Sequence, residues 1–187
     1  MSLLELRGVA CVRGGRRLFE ALDLALEPGG AALVTGPNGA GKSSLIRLAA
    51  GLLPATAGTV ERNAAAALAD EGLALDLKRT LARALAFWGR LDGCDPAAAM
   101  EAMGLMPLAD VPVRMLSTGQ RKRAALVRVM ASGAALWLLD EPANGLDADG
   151  EARLAAAMAA HRAGGGAILA ASHQPLALPD SARVALG

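Results

Sequence analysis

The chain contains no tyrosine, and its only aromatic residues are Phe19, Phe87, Trp88 and Trp137. Platforms that bind single-stranded nucleic acid stack successive bases on aromatic faces, and four scattered rings do not supply one. Charge of one sign is lacking too: 19 Lys+Arg stand against 18 Asp+Glu, a formal net charge of +1. That balance creates no field to draw the protein onto a polyanion or an anionic lipid surface, so no nucleic-acid partner is expected. The two cysteines, Cys11 and Cys94, form no CxxC pair; in a reducing compartment both read as small apolar fillers. Apolar runs such as those at 64–67 and 155–157 are short or interrupted, far below the ~20 residues that cross a bilayer. Met1-Ser2-Leu3-Leu4 runs directly into Glu5 and Arg7 without a leader pattern, so the chain is expected to stay in the cytoplasm.

What the chain does have is glycine, 22 of 187 residues, and three of these fall in one informative loop. Ala31 to Thr35 is an apolar run that leads into Gly36-Pro37-Asn38-Gly39-Ala40-Gly41-Lys42-Ser43-Ser44, and Leu45, Leu48, Ala49 and Leu52 then recur at helical spacing. Strand, loop and helix stand in the order a phosphate-binding loop requires. The glycines let backbone N–H groups approach phosphate closely, and the helix N-terminus adds positive potential. Lys42 is placed for the β- and γ-phosphates and Ser43 for Mg²⁺, so ATP and Mg²⁺ are the expected ligands.

Ala135-Leu136-Trp137-Leu138-Leu139 is a second apolar run, expected as a buried strand over 134–139, and it ends at Asp140-Glu141. A carboxylate there can hold Mg²⁺ beside Ser43, directly or through water, and Glu141 is the candidate base for an attacking water. Ala167 to Ala171 reads as a further buried strand ending at Ser172-His173. Strands alternating with helices imply an α/β fold with a parallel core sheet and ligands at the carboxyl ends of its strands. Leu22, Leu24 and Leu26 alternate with polar or small residues, and Pro28-Gly29-Gly30 ends the pattern, so the opening region reads as a small antiparallel sheet. From about 72 to 115 the pattern is helical, with Leu77, Leu81, Ala84, Leu85 and Trp88 on one face and breaks at Gly93 and Pro96, and 121–131 is helical again, giving a helical lobe over about 72–131. The expectation is one domain over 1–187 with a helical lobe inserted in its core. Met100, Met103 and Met106 read either as core or as an adaptable docking face. His161, in a helix rich in alanine, reads as solvated.

Leu116-Ser117-Thr118-Gly119-Gln120, between the glycine loop and Asp140-Glu141, resembles the signature of ATP-binding-cassette (ABC) ATPases. The segments 114–120, 136–142, 146–150 and 172–176 together are similar to the ATP-binding subunits of the bacterial cytochrome c maturation system. The resemblance implies a head-to-tail homodimer in which Ser117, Thr118, Gly119 and Gln120 close over the ATP bound to the partner's glycine loop. It assigns Asp147 to the D-loop and His173 to a switch contact with the γ-phosphate, next to Glu141 and Lys42 in catalysis. It also implies docking on membrane-spanning Ccm subunits at the cytoplasmic face of the inner membrane, with ATP hydrolysis driving haem export or release of a haem-loaded chaperone. Direct haem binding is not expected, because the chain has no CxxCH. Another ABC exporter, or a non-transport cassette such as one for iron–sulfur assembly, is the alternative.

Two departures from the family pattern stand out. Asp70-Glu71-Gly72 occupies the place of a usual glutamine, with Glu71 as a substitute oxygen ligand for Mg²⁺. Arg13 or Val12 lies where an aromatic usually stacks on adenine; the planar guanidinium of Arg13 can stack in that role. Arg121-Lys122-Arg123 after the signature read either as solvated charges or as phosphate contacts.

Overall fold

The computed structural model describes residues 1–72 and 74–187; Leu73, within the expected helical lobe, lies outside the described residues. Two sheets organise the chain. The first is antiparallel, in the order β2-β1-β4, from β1 (Leu4–Arg13), β2 (Arg16–Leu26) and β4 (Ala57–Arg62). The second has five strands in the order β5-β6-β7-β3-β8. Its members are β3 (Ala31–Thr35), β5 (Ala66–Ala69), β6 (Leu136–Asp140), β7 (Ala167–Ala171) and β8 (Ala182–Ala185), and every pairing is parallel.

Strands β3, β6 and β7 are apolar almost throughout because both faces of this sheet are covered. Leu136, Leu138 and Leu169 point to one side, where they pack with α1 (Lys42–Ala49) and with Leu4, Leu6 and Phe19 of the antiparallel sheet. Trp137, Leu139 and Ile168 point to the other, against α2 (Leu81–Asp92), α3 (Ala97–Ala102), α4 (Thr118–Ala131) and α5 (Ala148–Ala163). The three central strands β6, β7 and β3 lie side by side, so their carboxyl ends open at one edge of the sheet.

The helices differ from the expected pattern in identifiable places. α1 stops at Ala49, followed by the left-handed Gly51, and leaves Leu52 68% exposed. Leu77 precedes α2 and is exposed, whereas Leu81, Ala84 and Leu85 are buried on the face that spacing placed them on. Met100 and Met103 are core residues; Met106, in a short 3-10 turn, is exposed. α4 begins with a capping box: Ser117 Oγ accepts from the Gln120 N–H at 3.2 Å and Gln120 Oε1 accepts from the Ser117 N–H at 2.9 Å.

His161 is not solvated. Its ring stacks on Trp137 with centroids 3.9 Å apart and 12° between planes, and its Nε2 is buried without a hydrogen-bond partner. Burial lowers its pKa below the ordinary histidine value, against backbone carbonyls of Ala167 and Ala135 that raise it. α5 turns this face inward because Trp137, buried on the helix-covered side of β6, offers a flat apolar ring to stack on.

Candidate active site

The turn from β3 to α1 carries the glycine loop. Gly36 has φ 145°, and a Cβ there would stand 2.2 Å from the Leu186 carbonyl oxygen just after β8, so the loop leaves the sheet through a gap only glycine fits. Lys42 begins α1 and is 7% exposed. Its ammonium donates to the Gly36 carbonyl at 2.8 Å and the Pro37 carbonyl at 3.2 Å, folding the side chain over the loop. Asn38, Gly39, Gly41, Lys42, Ser43 and Ser44 form one wall of a cavity of about 460 Å³. Glu141 and His173 close it from the ends of β6 and β7, with Leu18, Glu71 and Asn144 at the rim. Pro37 and the buried Ala40 are part of the same loop and support its turn, with the Ala40 N–H donating to the Pro37 carbonyl at 3.2 Å.

Asp140 is the last residue of β6 and is 3% exposed. Burial raises its carboxyl pKa above the ordinary value; the Ser43 hydroxyl works against the rise, and the charge of Glu141 adds to it. Its Oδ1 is buried with no hydrogen-bond partner among the described residues. An uncompensated buried carboxylate beside a serine hydroxyl is what a divalent cation would satisfy, so Ser43 and Asp140 fit Mg²⁺.

Glu141 departs from the strand with φ 48°, a left-handed conformation that is costly for a residue with a Cβ. Its N–H donates to the Ala171 carbonyl at 2.8 Å. Its Oε2 accepts from the His173 N–H at 3.2 Å and lies 2.8 Å from His173 Nδ1. Because β6 and β7 are neighbours, residues 32 apart in the chain meet at one point.

The remaining expected residues lie around this centre. Ser117, Thr118, Gly119 and Gln120 are outside the cavity, at the N-terminus of α4. A Cβ on Gly119 would approach the Gly145 carbonyl to 2.9 Å, so the signature turn packs on the segment that follows Glu141. Asp147 caps α5, its Oδ1 accepting from the Gly150 N–H at 2.8 Å. Arg13, at the end of β1, is exposed and does not line the cavity; Leu18 of β2 takes that side.

Arg121, Lys122 and Arg123 are neither solvated charges nor directed at the glycine loop. Each donates to a backbone carbonyl, of Leu116 at 3.1 Å, Asp140 at 3.3 Å and Met103 at 3.2 Å respectively. A basic run on a helix gives no sequence signal for such tertiary partners.

Residues 19–144 match the family model described as ABC transporter. The chain is 62% identical over 188 aligned residues to the cytochrome c biogenesis ATP-binding export protein CcmA of Sphingopyxis alaskensis, covering 99% of this chain and 97% of that protein. It is 59% identical to the protein of the same name from Novosphingobium aromaticivorans, covering 91% and 88%. A solved structure of a putative ABC transporter ATP-binding protein from Pyrococcus furiosus shares its fold, with TM-score 0.86 at 20% identity, covering 98% of this chain and 96% of that one. With its glycine loop, strand-end carboxylates and capped signature helix in this arrangement, the chain belongs to the ABC transporter family of ATPases and, within it, to the CcmA group.

Proposed function

We propose that this protein is the ATP-hydrolysing subunit of an inner-membrane ABC complex for cytochrome c maturation, whose cycle drives haem export or release of a haem-loaded chaperone. The observation that carries the chemistry is the Glu141 carboxylate, held by His173 at the mouth of the cavity that the glycine loop walls. The name shared by the relatives supports the process it serves.

In this reading the loop from Gly36 to Ser44 holds the triphosphate, and the Lys42 ammonium exchanges two backbone carbonyls for phosphate oxygens. Ser43 and Asp140 would hold Mg²⁺, with Glu71 as a further oxygen ligand; the ion would supply neutralisation of phosphate charge. Glu141 orients water and takes its proton as the oxygen bonds to the γ-phosphorus and the bond to the bridging oxygen breaks. His173 would set the carboxylate's orientation and, as a lining residue of the same cavity, contact the γ-phosphate.

Ser117 to Gln120 stand outside their own cavity, which favours a head-to-tail homodimer in which they cover the partner's ATP and Asp147 lies at the junction. Among the described residues no helix is long and apolar enough to cross a membrane, so attachment at the cytoplasmic face rests on membrane-spanning Ccm-type subunits, which also carry haem specificity. Isolation in mild detergent followed by mass spectrometry tests this: co-purifying cytochrome c maturation subunits are expected, and a different permease would reassign the substrate. Glu141→Gln should retain ATP in a stable dimer without turnover, and Lys42→Ala should lose ATP binding; brisk turnover by the Glu141 variant would remove it as the base.

A further inference from the structure

Lys122 lies in α4, one turn after the signature residues, and its side chain crosses to the end of β6. Its Nζ donates to the Asp140 carbonyl at 3.3 Å. The N–H of the same peptide unit, that of Glu141, donates to the Ala171 carbonyl at 2.8 Å. The peptide joining Asp140 to Glu141 is thus held at both ends, from α4 and from β7. Glu141 then takes φ 48°, a conformation that persists where the surroundings over-determine it. Fixing this peptide fixes the axis about which the Glu141 side chain swings.

The charge on Lys122 has a reason to be there. Asp70, Glu71, Thr118, Arg121 and Asn144 line the same cavity of about 420 Å³ as Lys122. A half-buried ammonium that shares a cavity with Asp70 and Glu71 and bonds to a main-chain carbonyl has neutralising partners and a charge-assisted hydrogen bond.

We propose that Lys122 is a positioning residue for hydrolysis: through the Asp140 carbonyl it holds Glu141 in its working conformation and ties that conformation to the signature helix. This rests on Glu141 acting as the base. Methionine at 122 keeps most of the apolar stem and removes the donor, whereas arginine keeps charge and donors.

The test compares Lys122→Met, Lys122→Arg, Glu141→Gln and the Lys122→Met/Glu141→Gln double variant of the full chain. In Lys122→Met, exchange of the Glu141 amide, followed by NMR, should accelerate at least about tenfold while the Leu138 and Leu139 amides keep their rates, as expected when one local opening becomes easier. kcat for ATP in the assembled complex should fall about tenfold or more with KM within about twofold, inside the hundredfold that small misplacements of a reacting group produce. Lys122→Arg should restore both readouts, and the double variant should be no slower than Glu141→Gln. Unchanged exchange at Glu141, or a general rise along β6 that arginine does not reverse, overturns the proposal and leaves the base assignment standing. Turnover in Glu141→Gln overturns the base assignment itself, and the amide exchange still reports on the clamp.

Discussion

Replacing Asp140 by asparagine should stabilise the metal-free, nucleotide-free protein and at the same time disable it for Mg-ATP. In the ligand-free fold Asp140 is 3% exposed, its Oδ1 has no partner among the described residues, and burial raises its pKa. Leaving a buried acceptor unsatisfied costs about 1–3 kcal/mol. Asparagine keeps the shape, removes the charge and can donate to Ser43. For a chain of this length 1 kcal/mol moves Tm by about 2–4 °C, so the variant should melt about 2–12 °C higher in chelator. Mg-ATP should narrow or reverse the gap, because at about 100 times Kd the wild type gains ~2.7 kcal/mol, and with Asp140 as the proposed Mg²⁺ holder the variant should gain less. The gap also has a pH signature. The folded carboxyl titrates above its ordinary value of 3.8, so the folded state keeps its proton to higher pH than the unfolded chain. Wild-type stability from this group therefore falls as pH rises from 3.8 through the folded value, and the Tm gap is widest at neutral pH and closes on acidification. Differential scanning calorimetry of both proteins in chelator reads this directly. A variant that melts at or below the wild type at neutral pH would refute the reading of Asp140 as a carboxylate awaiting a cation.

Four further substitutions probe the frame around the site. His161→Phe keeps the stack on Trp137 and removes a buried, unpartnered nitrogen, so neutral-pH stability should hold or rise. Since burial depresses the folded His161 value below 6.5, the unfolded chain protonates first; wild-type stability falls as pH drops below 6.5, and urea midpoints of the variant should lack that component. Gly36→Ala sets a Cβ 2.2 Å from the Leu186 carbonyl, an overpacking worth ~1–3 kcal/mol in urea unfolding on top of backbone strain. Gly39→Ala, with nothing within 4 Å and φ 80°, should lose only the ~1–2 kcal/mol of strain. Ser117→Ala removes the cap of α4 and should cost ~0.5–2 kcal/mol in the same assay.

The parts of this protein legible from sequence are those a contiguous stretch specifies. The glycine loop is one, and β7 is another: Ala167–Ala171 is apolar on both faces because both are covered, and its span is the one its composition suggests. β5 and β8 escaped notice because Ala66–Ala69 and Ala182–Ala185 are short and alanine-rich, and become strands by lying beside β6 and β3. His161 misled for a related reason, since a helix built largely of alanine carries no periodic contrast to say which face turns inward. The site divides along the same line. Lys42, Ser43, Asp140 and Glu141 could be named from local motifs, yet how Glu141 is supported depends on which elements lie side by side. Its N–H is held by β7, its carboxylate by His173 and the carbonyl before it by Lys122. Those contacts need the strand order β6-β7-β3 and the packing of α4 against the sheet. The glycine loop is thus written locally, whereas the setting of Glu141 is a tertiary property, resting on contacts from β7, His173 and Lys122 that no motif contains.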